Sequence, residues 1–409
     1  MKVAALQLID RWLGVPLCFL LTAASKLTGS PNAVPNVRRI LFVKLAEQGS
    51  TVLAHPAIRR AVELVGRENV HFIVFDENRF ILDALGLIPK ENVITISFRS
   101  FPALLQSTWS AILKMRRMKF DAAIDMEFFA RGSAAVAYLS GAKTRVGFHS
   151  YFGAGPYRGS LMTHRLLYNP YLHTSQIFQL MVEALLLKPQ TLPTFGQQPP
   201  PVEEELPRFQ ATLEEIEAVR SIVRASTGQQ GLPRLILLNP NASDLLPLRR
   251  WEPVRYVDLA KRLLAQFPEA YVGLTGAPNE SPAIDRLAQE IGSPRCVSFA
   301  GKTTLRQLLI LYGLADILVT NDSGPAHFAS LTPIHVVTLF GPETPRLFAA
   351  RTPRNTPLWA GIACSPCVNA FNNRQTACTN NVCMQLITVE QVFREVCCIF
   401  ERRAGKQNK

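Results

Sequence analysis

Apolar runs of strand length alternate with stretches of helical spacing along most of this chain, and the alternation happens twice. Residues 38–44, RRILFVK, predict a buried strand, Leu45 to Ser50 a loop, and Thr51 to Val65 a helix. Further strands are predicted at Val70 to Phe75, Val93 to Ile96 and Ala122 to Met126, with helical stretches between them. Around Leu187 to Pro207 the pattern fails: LKPQTLPTFGQQPPPVEEELP is rich in proline and ends on an acidic run, which marks a linker over 191–210. The alternation restarts with a helix at Ala211 to Arg224, then strand Arg234 to Leu238, helix Val254 to Gln266, strand Ala270 to Leu274 and helix Ser281 to Ile291. Strands at Asp316 to Thr320 and Ile334 to Phe340 flank a short helix, and Val389 to Phe400 closes the pattern. Such alternation argues for parallel sheets wrapped by helices, an α/β fold with domains over 37–190 and 211–388 and a helical tail over 389–409. Two halves of this kind form a cleft between their strand carboxyl ends, where open α/β sheets bind ligands.

Composition sharpens the picture at the amino end. A hydrophobic content of 48% with 18% charged residues describes a folded chain, and 409 residues suit two domains better than one. The net charge is +13, and residues 1–200 hold 22 Lys and Arg against 12 Asp and Glu. The excess therefore lies in the first half, which suggests a surface facing anionic lipid, an acidic glycolipid or nucleic acid, solvated helix faces being the bland alternative for any one cluster. The first thirty residues stand apart, because Trp12 to Ala24 is apolar, contains Pro16 and is too short to span a bilayer. It reads first as an interfacial, membrane-associating helix, second as a signal peptide with Ala23-Ala24-Ser25 as a cleavage region, and third as a packed helix.

Four loops at predicted strand ends of the second half carry the candidate chemistry. Asn241 and Ser243 precede Arg249-Arg250-Trp251; Gly276 and Glu280 follow the next strand; Gly301, Thr303 and Thr304 lead into a helix; Asn321-Asp322-Ser323-Gly324 opens the short helix that carries His327. Asp322 and Ser323 are N-cap residue types, and a helix so placed offers amides to an anion, phosphate above all; an ordinary capped crossover is the plain alternative. Together the loops supply hydroxyls, amides, a guanidinium and a carboxylate, which suits a nucleoside diphosphate with its ribose.

From about Val37 to the carboxyl end the chain resembles glycosyltransferase family 9, the lipopolysaccharide heptosyltransferases. Ile40 to Lys44 with Gly49 and His55-Pro56-Ala57-Ile58, Gly141 to Gly147, Arg249 to Trp251, and Asn321 to His327 with Leu339 to Pro342 carry the resemblance. It implies a GT-B fold, two Rossmann-like domains facing each other across a cleft, with the acceptor on the first and an ADP-sugar donor on the second. It further implies an inverting, metal-independent transfer of a sugar, heptose foremost, to a lipid-linked saccharide such as lipopolysaccharide core. The protein would be peripheral on the inner, cytoplasmic face of the membrane. Arg249 stands where the family has a donor-phosphate lysine, keeping the charge and adding a bidentate fork. Glu280 matches a nucleoside-holding carboxylate, and Asp322, Ser323, Gly324 and His327 match the donor-phosphate motif, packing within the helix being the alternative for His327. The departure is Gly49-Ser50 where the family has Gly-Asp, the Asp being its proposed base. A serine hydroxyl is no general base near neutral pH, so Glu47 is the nearest replacement, a solvated loop residue being its alternative.

Cys364, Cys367, Cys378 and Cys383 have spacing compatible with a four-thiolate zinc site, although reduced thiols packing a loop are the favoured reading and no cofactor is required. The expected partners are the nucleotide-sugar donor, the lipid-linked acceptor and an anionic membrane surface, with no nucleic acid and a monomeric chain. A catalytically silent binder of nucleotide sugar or glycolipid is the alternative that Ser50 keeps open.

Overall fold

The computed structural model describes residues 3–28, 36–153, 155–202, 205–242 and 246–407. Two compact units divide the chain, one of Met1–Val202 with Val368–Thr376 and the other of Glu203–Cys367 with Ala377–Lys409. In the first unit, strands β1 (Ile40–Val43), β2 (Val70–Phe75), β3 (Val93–Ile96), β4 (Ala122–Asp125), β5 (Thr144–Phe148) and β6 (His164–Leu166) form a parallel sheet in the order β3-β2-β1-β4-β5-β6. In the second, β7 (Arg234–Asn239), β8 (Ala270–Leu274), β9 (Cys296–Ser298), β10 (Ile317–Asn321), β11 (His335–Phe340) and β12 (Asn355–Trp359) form another, in the order β12-β11-β10-β7-β8-β9. Each is a doubly wound, Rossmann-like unit, with its strand order reversing between β1 and β4 or between β7 and β10.

The central strands were legible because helices cover both faces, so they read as unbroken apolar runs. Ile40, Leu41, Phe42 and Val43 are wholly buried, each worth about 1.5–3 kcal/mol relative to an exposed side chain. Of the four edge strands, β6, β9 and β12 are short or partly exposed and carry no such signal, whereas β3, buried at Val93, Ile94 and Ile96, was read. The loop expected over Leu45 to Ser50 ends early. Gln48–Leu53 is a short helix, separated by Ala54 from His55–Val65, so Gly49 and Ser50 sit in a first turn and Glu47 precedes it. The strand expected at Asp316 starts one residue later, at Ile317, and the closing helix runs to Gln407.

The amino-terminal apolar segment is a pair of helices, Val3–Trp12 and Gly14–Thr28. Among the described residues no helix is long and apolar enough to cross a membrane. The pair packs on helix Arg131–Leu139, whose first amides it caps: Asp10 Oδ1 accepts from the amides of Arg131 and Gly132 at 2.9 and 2.7 Å, and Oδ2 lies 3.3 Å from the Arg131 guanidinium. Cys18 is wholly buried, and Thr22 Oγ1 accepts from the Ser160 amide at 2.9 Å. That approach requires Gly159, at φ 67°, because a Cβ there would stand 2.8 Å from the Cys18 carbonyl oxygen.

Asp10 therefore holds the amino-terminal pair in place as a cap supplied from a distant part of the chain. Asp10→Ala is expected to cost about 1 kcal/mol, lowering the melting temperature slightly while raising amide exchange across residues 8–28. Unchanged exchange in that segment would show that its apolar packing alone suffices.

Candidate active site

Ligands of doubly wound sheets bind where the strand order reverses, so the carboxyl ends of β1 and β4 and of β7 and β10 are the places to look. At the first pair the chain buries charge. Lys44, immediately after β1, is wholly buried, and its ammonium donates to the Ala46 carbonyl at 2.8 Å and to Glu127 Oε2 at 3.0 Å. Burial pushes Lys44 below its ordinary value and Glu127 pulls it back. Glu127 also accepts from the Ala46 amide at 2.8 Å, which fixes the loop leading to Glu47. Beside it Asp125 is paired with Arg158 and accepts from the Ser133 hydroxyl at 3.0 Å; burial pushes it up to about 6 against the pull of Arg158.

Glu47 is the half-buried end of this network. Its Oε2 lies 3.7 Å from the Lys44 ammonium and 3.3 Å from the Ser50 hydroxyl, which donates to it and, at 2.9 Å, to the Glu47 carbonyl. Its Oε1 is held by the guanidinium of Arg374. Glu47 has φ 66°, a left-handed conformation that costs a non-glycine residue about 1 kcal/mol or more and that clusters at functional sites. Arg374 arrives with the segment 368–376, where Phe371 packs its ring 5.2 Å from that of Tyr168 and 6.1 Å from that of Phe129. The sequence gives no signal for Arg374, which lies 327 residues from its partner.

In the second unit the reversal is organised by Asn321. Its amide donates to the carbonyls of Pro240 and Asn241 at 3.0 and 3.2 Å, and its Oδ1 accepts from the Trp251 amide at 3.1 Å and the Tyr256 hydroxyl at 3.2 Å. The loops after β7 and β10 and the turn at 249–251 are thus joined through one side chain. Next to it Arg249 contacts Glu343 and approaches Asp322 at 3.6 Å. Burial opposes the Arg249 charge, but Glu343 and Asp322 outweigh it and raise its pKa. The carboxylates carry the opposite cost: burial raises Asp322 and pushes Glu343 up to about 8, Arg249 only partly offsetting it. Glu343 was not anticipated, although it directly follows Leu339 to Pro342, and a carboxylate at the end of a buried strand run is a usable signal.

Glu280 meets Asn241. Its Oε2 accepts from the Asn241 amide at 2.9 Å and from the Ala277 amide at 2.7 Å, and a Cβ at Gly276 would stand 3.0 Å from the same Asn241 nitrogen. Gly301, at φ 70°, donates to the Gly276 carbonyl at 3.1 Å and so belongs to this group. Thr304 has a structural duty, capping helix Leu305–Leu314 by accepting from the Gln307 amide at 3.2 Å; Thr303 beside it is half-buried. Ser323 stands at the N-cap of helix Gly324–Ala329 without capping it, since its hydroxyl donates to the Asn321 carbonyl at 3.1 Å. His327 is buried within that six-residue helix. Ser243 lies outside the described residues. For the zinc expectation, no cluster of three or more His, Cys, Asp or Glu among the described residues is arranged to hold a metal ion. Cys364 and Cys378 are exposed, Cys367 is half-buried and Cys383 is buried.

Residues 108–377 match the model of glycosyltransferase family 9 (heptosyltransferase). A lipopolysaccharide heptosyltransferase 2 of Salmonella typhimurium is 35% identical over 24% of this chain, an alignment that spans only 29% of that relative's length. Among solved structures, an ADP-heptose lipopolysaccharide heptosyltransferase II of E. coli superimposes with a TM-score of 0.64 at 17% identity, covering 90% of this chain and 99% of the other. An E. coli heptosyltransferase solved with ADP gives 0.60 at 15% identity, covering 88% and 99%. These likenesses show that the two Rossmann-like units follow the fold of heptosyltransferase structures.

The burial of Glu343 generates a test of the Arg249 cluster. A carboxyl raised to about 8 contributes full stability below the ordinary carboxylate range and loses it as the pH rises through about 8. Glu343→Gln keeps a neutral amide and lacks this loss. The stability of the wild type relative to Glu343→Gln is therefore expected to fall with rising pH, by at most about 1.4 kcal/mol per unit, and to level off above about 8. Melting curves of both proteins across that range check it; a constant difference would show that Glu343 is ionised throughout.

Proposed function

The chain belongs to glycosyltransferase family 9, and on that footing we propose that it transfers a heptose from an ADP-sugar to a lipid-linked saccharide of the lipopolysaccharide core, inverting the anomeric centre. The observation that carries this reading is the assembly at the second reversal point: Arg249, Asp322 and Asn241 on loops joined through Asn321, with Glu280 tied to them through Asn241. The donor's diphosphate takes the Arg249 guanidinium, which in its absence faces Asp322 and Glu343, and a protonated Glu343 reduces the competition. Glu280, already oriented by Asn241 and the Ala277 amide, offers its second oxygen to a ribose hydroxyl.

On the acceptor side the base is Glu47. The acceptor hydroxyl oxygen bonds to the anomeric carbon, the bond from that carbon to the diphosphate breaks with its electron pair leaving on ADP, and Glu47 takes the hydroxyl proton. Single displacement inverts the centre. Arg374 and Lys44 hold the carboxylate from two sides and aim it. A weak base suffices when the proton leaves late, after bonding to the anomeric carbon has acidified the hydroxyl. Ser50 donates to Glu47 and so orients it. No metal ion is needed to stabilise the leaving group where a guanidinium does so. The reaction belongs at the inner face of the cytoplasmic membrane, with the protein peripheral and monomeric.

Melting temperatures with ADP, UDP, GDP and CMP test the donor assignment: ADP alone is expected to stabilise, and Arg249→Ala to abolish the shift. Stabilisation by UDP or GDP without ADP would overturn the heptose reading. Glu47→Gln is expected to lower turnover by about a hundredfold or more with the ADP shift intact. Near-normal turnover would remove Glu47 from the mechanism, and an ADP shift with neither transfer nor donor hydrolysis in the wild type would mark a silent binder.

A further inference from the structure

Helix Phe101–Met118 is apolar on two sides, and only one of them has a reason in the fold. Ala111, Ile112 and Met115 are buried in the cluster that also holds Leu41, Ile73 and Cys18. The other side presents Phe101, Leu105, Trp109 and Leu113, four large apolar side chains at successive i+4 positions, with Trp109 64% exposed. Surface helices in water carry polar residues there, and an exposed apolar stripe marks an interaction site.

Charge says what meets it. The helix contains no Asp or Glu, and Lys114, Arg116, Arg117 and Lys119 are exposed at its carboxyl end. The crossovers from β3 to β4 and from β4 to β5 run in one direction across the sheet, and right-handed connections then lie on one face. Helix Phe101–Met118 therefore shares a face with helix Arg131–Leu139, on which the amino-terminal pair of helices packs. That pair exposes Trp12, Leu13, Phe19 and Leu20, together with the cations Arg11 and Lys26. Its sole carboxylate between residues 3 and 28, Asp10, is engaged by Arg131 and two amides.

We propose that this face docks on an anionic lipid bilayer, with the Phe101-Leu105-Trp109-Leu113 stripe and the amino-terminal helices lying in the interface and the flanking cations at the headgroups. The inference deepens the proposed function, resting on its membrane-borne acceptor for its setting, and assigns the docking to a second element beyond the first thirty residues. Charge favours lipid over a second copy of the chain, because a two-fold contact through this face would set its cations against themselves.

Sedimentation of the full-length protein with vesicles tests it, using phosphatidylcholine alone and phosphatidylcholine with about a third phosphatidylglycerol. Binding to the anionic vesicles is expected, about tenfold or more weaker on the neutral ones and at about 1 M salt. Leu105→Asp with Trp109→Asp, and separately Lys114→Glu with Arg117→Glu, are each expected to weaken it by about tenfold or more. All four replace exposed side chains, and unchanged melting temperatures confirm the fold. Wild-type binding by the Leu105 and Trp109 variant would overturn the stripe's role, and equal binding to both vesicle types would overturn the anionic partner. A dimer that the same variant dissociates, with no vesicle binding, would assign the face to a second copy. The ADP shift separates this inference from the enzymatic reading: vesicle binding without it sinks the donor site, whereas an intact shift without vesicle binding sinks only the docking surface.

Discussion

Four hydrogen bonds on the side chain of Asn321 hold the second unit's site together. A parallel sheet covered on both faces delivers its strand ends into a place where backbone groups have lost water, and every one of them needs a partner. Asn321 is wholly buried and supplies both donors and an acceptor at that point, meeting the chain after β7 and the turn that carries Trp251. The position of Arg249, two residues before Trp251, follows from it. So does that of Asp322, the first residue after β10. An aspartate there could accept the two bonds that Asn321 accepts but could not make the two it donates, leaving the Pro240 and Asn241 carbonyls without those donors.

The first unit meets the same requirement with charge instead of an amide. Lys44 stands after its central strand as Asn239 and Asn321 end theirs, and its ammonium satisfies a carbonyl and a carboxylate at once. Burying an ammonium is costly unless the partner is close and itself hydrogen-bonded, which Glu127 is. The two solutions have different consequences. An amide network fixes geometry without setting a field, so the charge felt at the second site is that of Arg249 with Asp322 and Glu343 beside it. A charge network transmits, and Glu47, at the edge of the first, feels Lys44 as well as Arg374.

This difference also explains what could be read from the sequence. Central strands and their helices were legible because burial on both faces writes an uninterrupted apolar run, as in Ile40 to Val43 and Ile317 to Val319. Asp322 directly follows such a run, whereas Glu280 lies six residues beyond Leu274 and Arg249 ten beyond Asn239, and these two took their roles from the family resemblance. Glu343 and Glu127 obey the same rule and were passed over, since a carboxylate after a strand looks like a solvated loop until its burial is known. Arg374 was illegible for a deeper reason: its partner is set by where the segment 368–376 lands, not by anything local to it. Trp109 was readable as part of a helix, but its exposure depends on which side of that helix the sheet claims.

Glu47 shows how far apart along the chain one carboxylate's environment can be assembled. Its backbone is held left-handed by a loop that Glu127 pins, and its oxygens are set by Lys44, Ser50 and Arg374. A left-handed glutamate is disfavoured in an isolated loop and persists where surrounding contacts over-determine it. Those contacts include a segment that leaves the second unit, joins the aromatic cluster of Phe129 and Tyr168 through Phe371, and returns to the second unit. In the proposed role of base, a glutamate has one more rotatable bond than an aspartate, and therefore more orientations to lose. Three oriented partners on its two oxygens restrict that freedom in advance, so the longer side chain and the distant arginine make physical sense together.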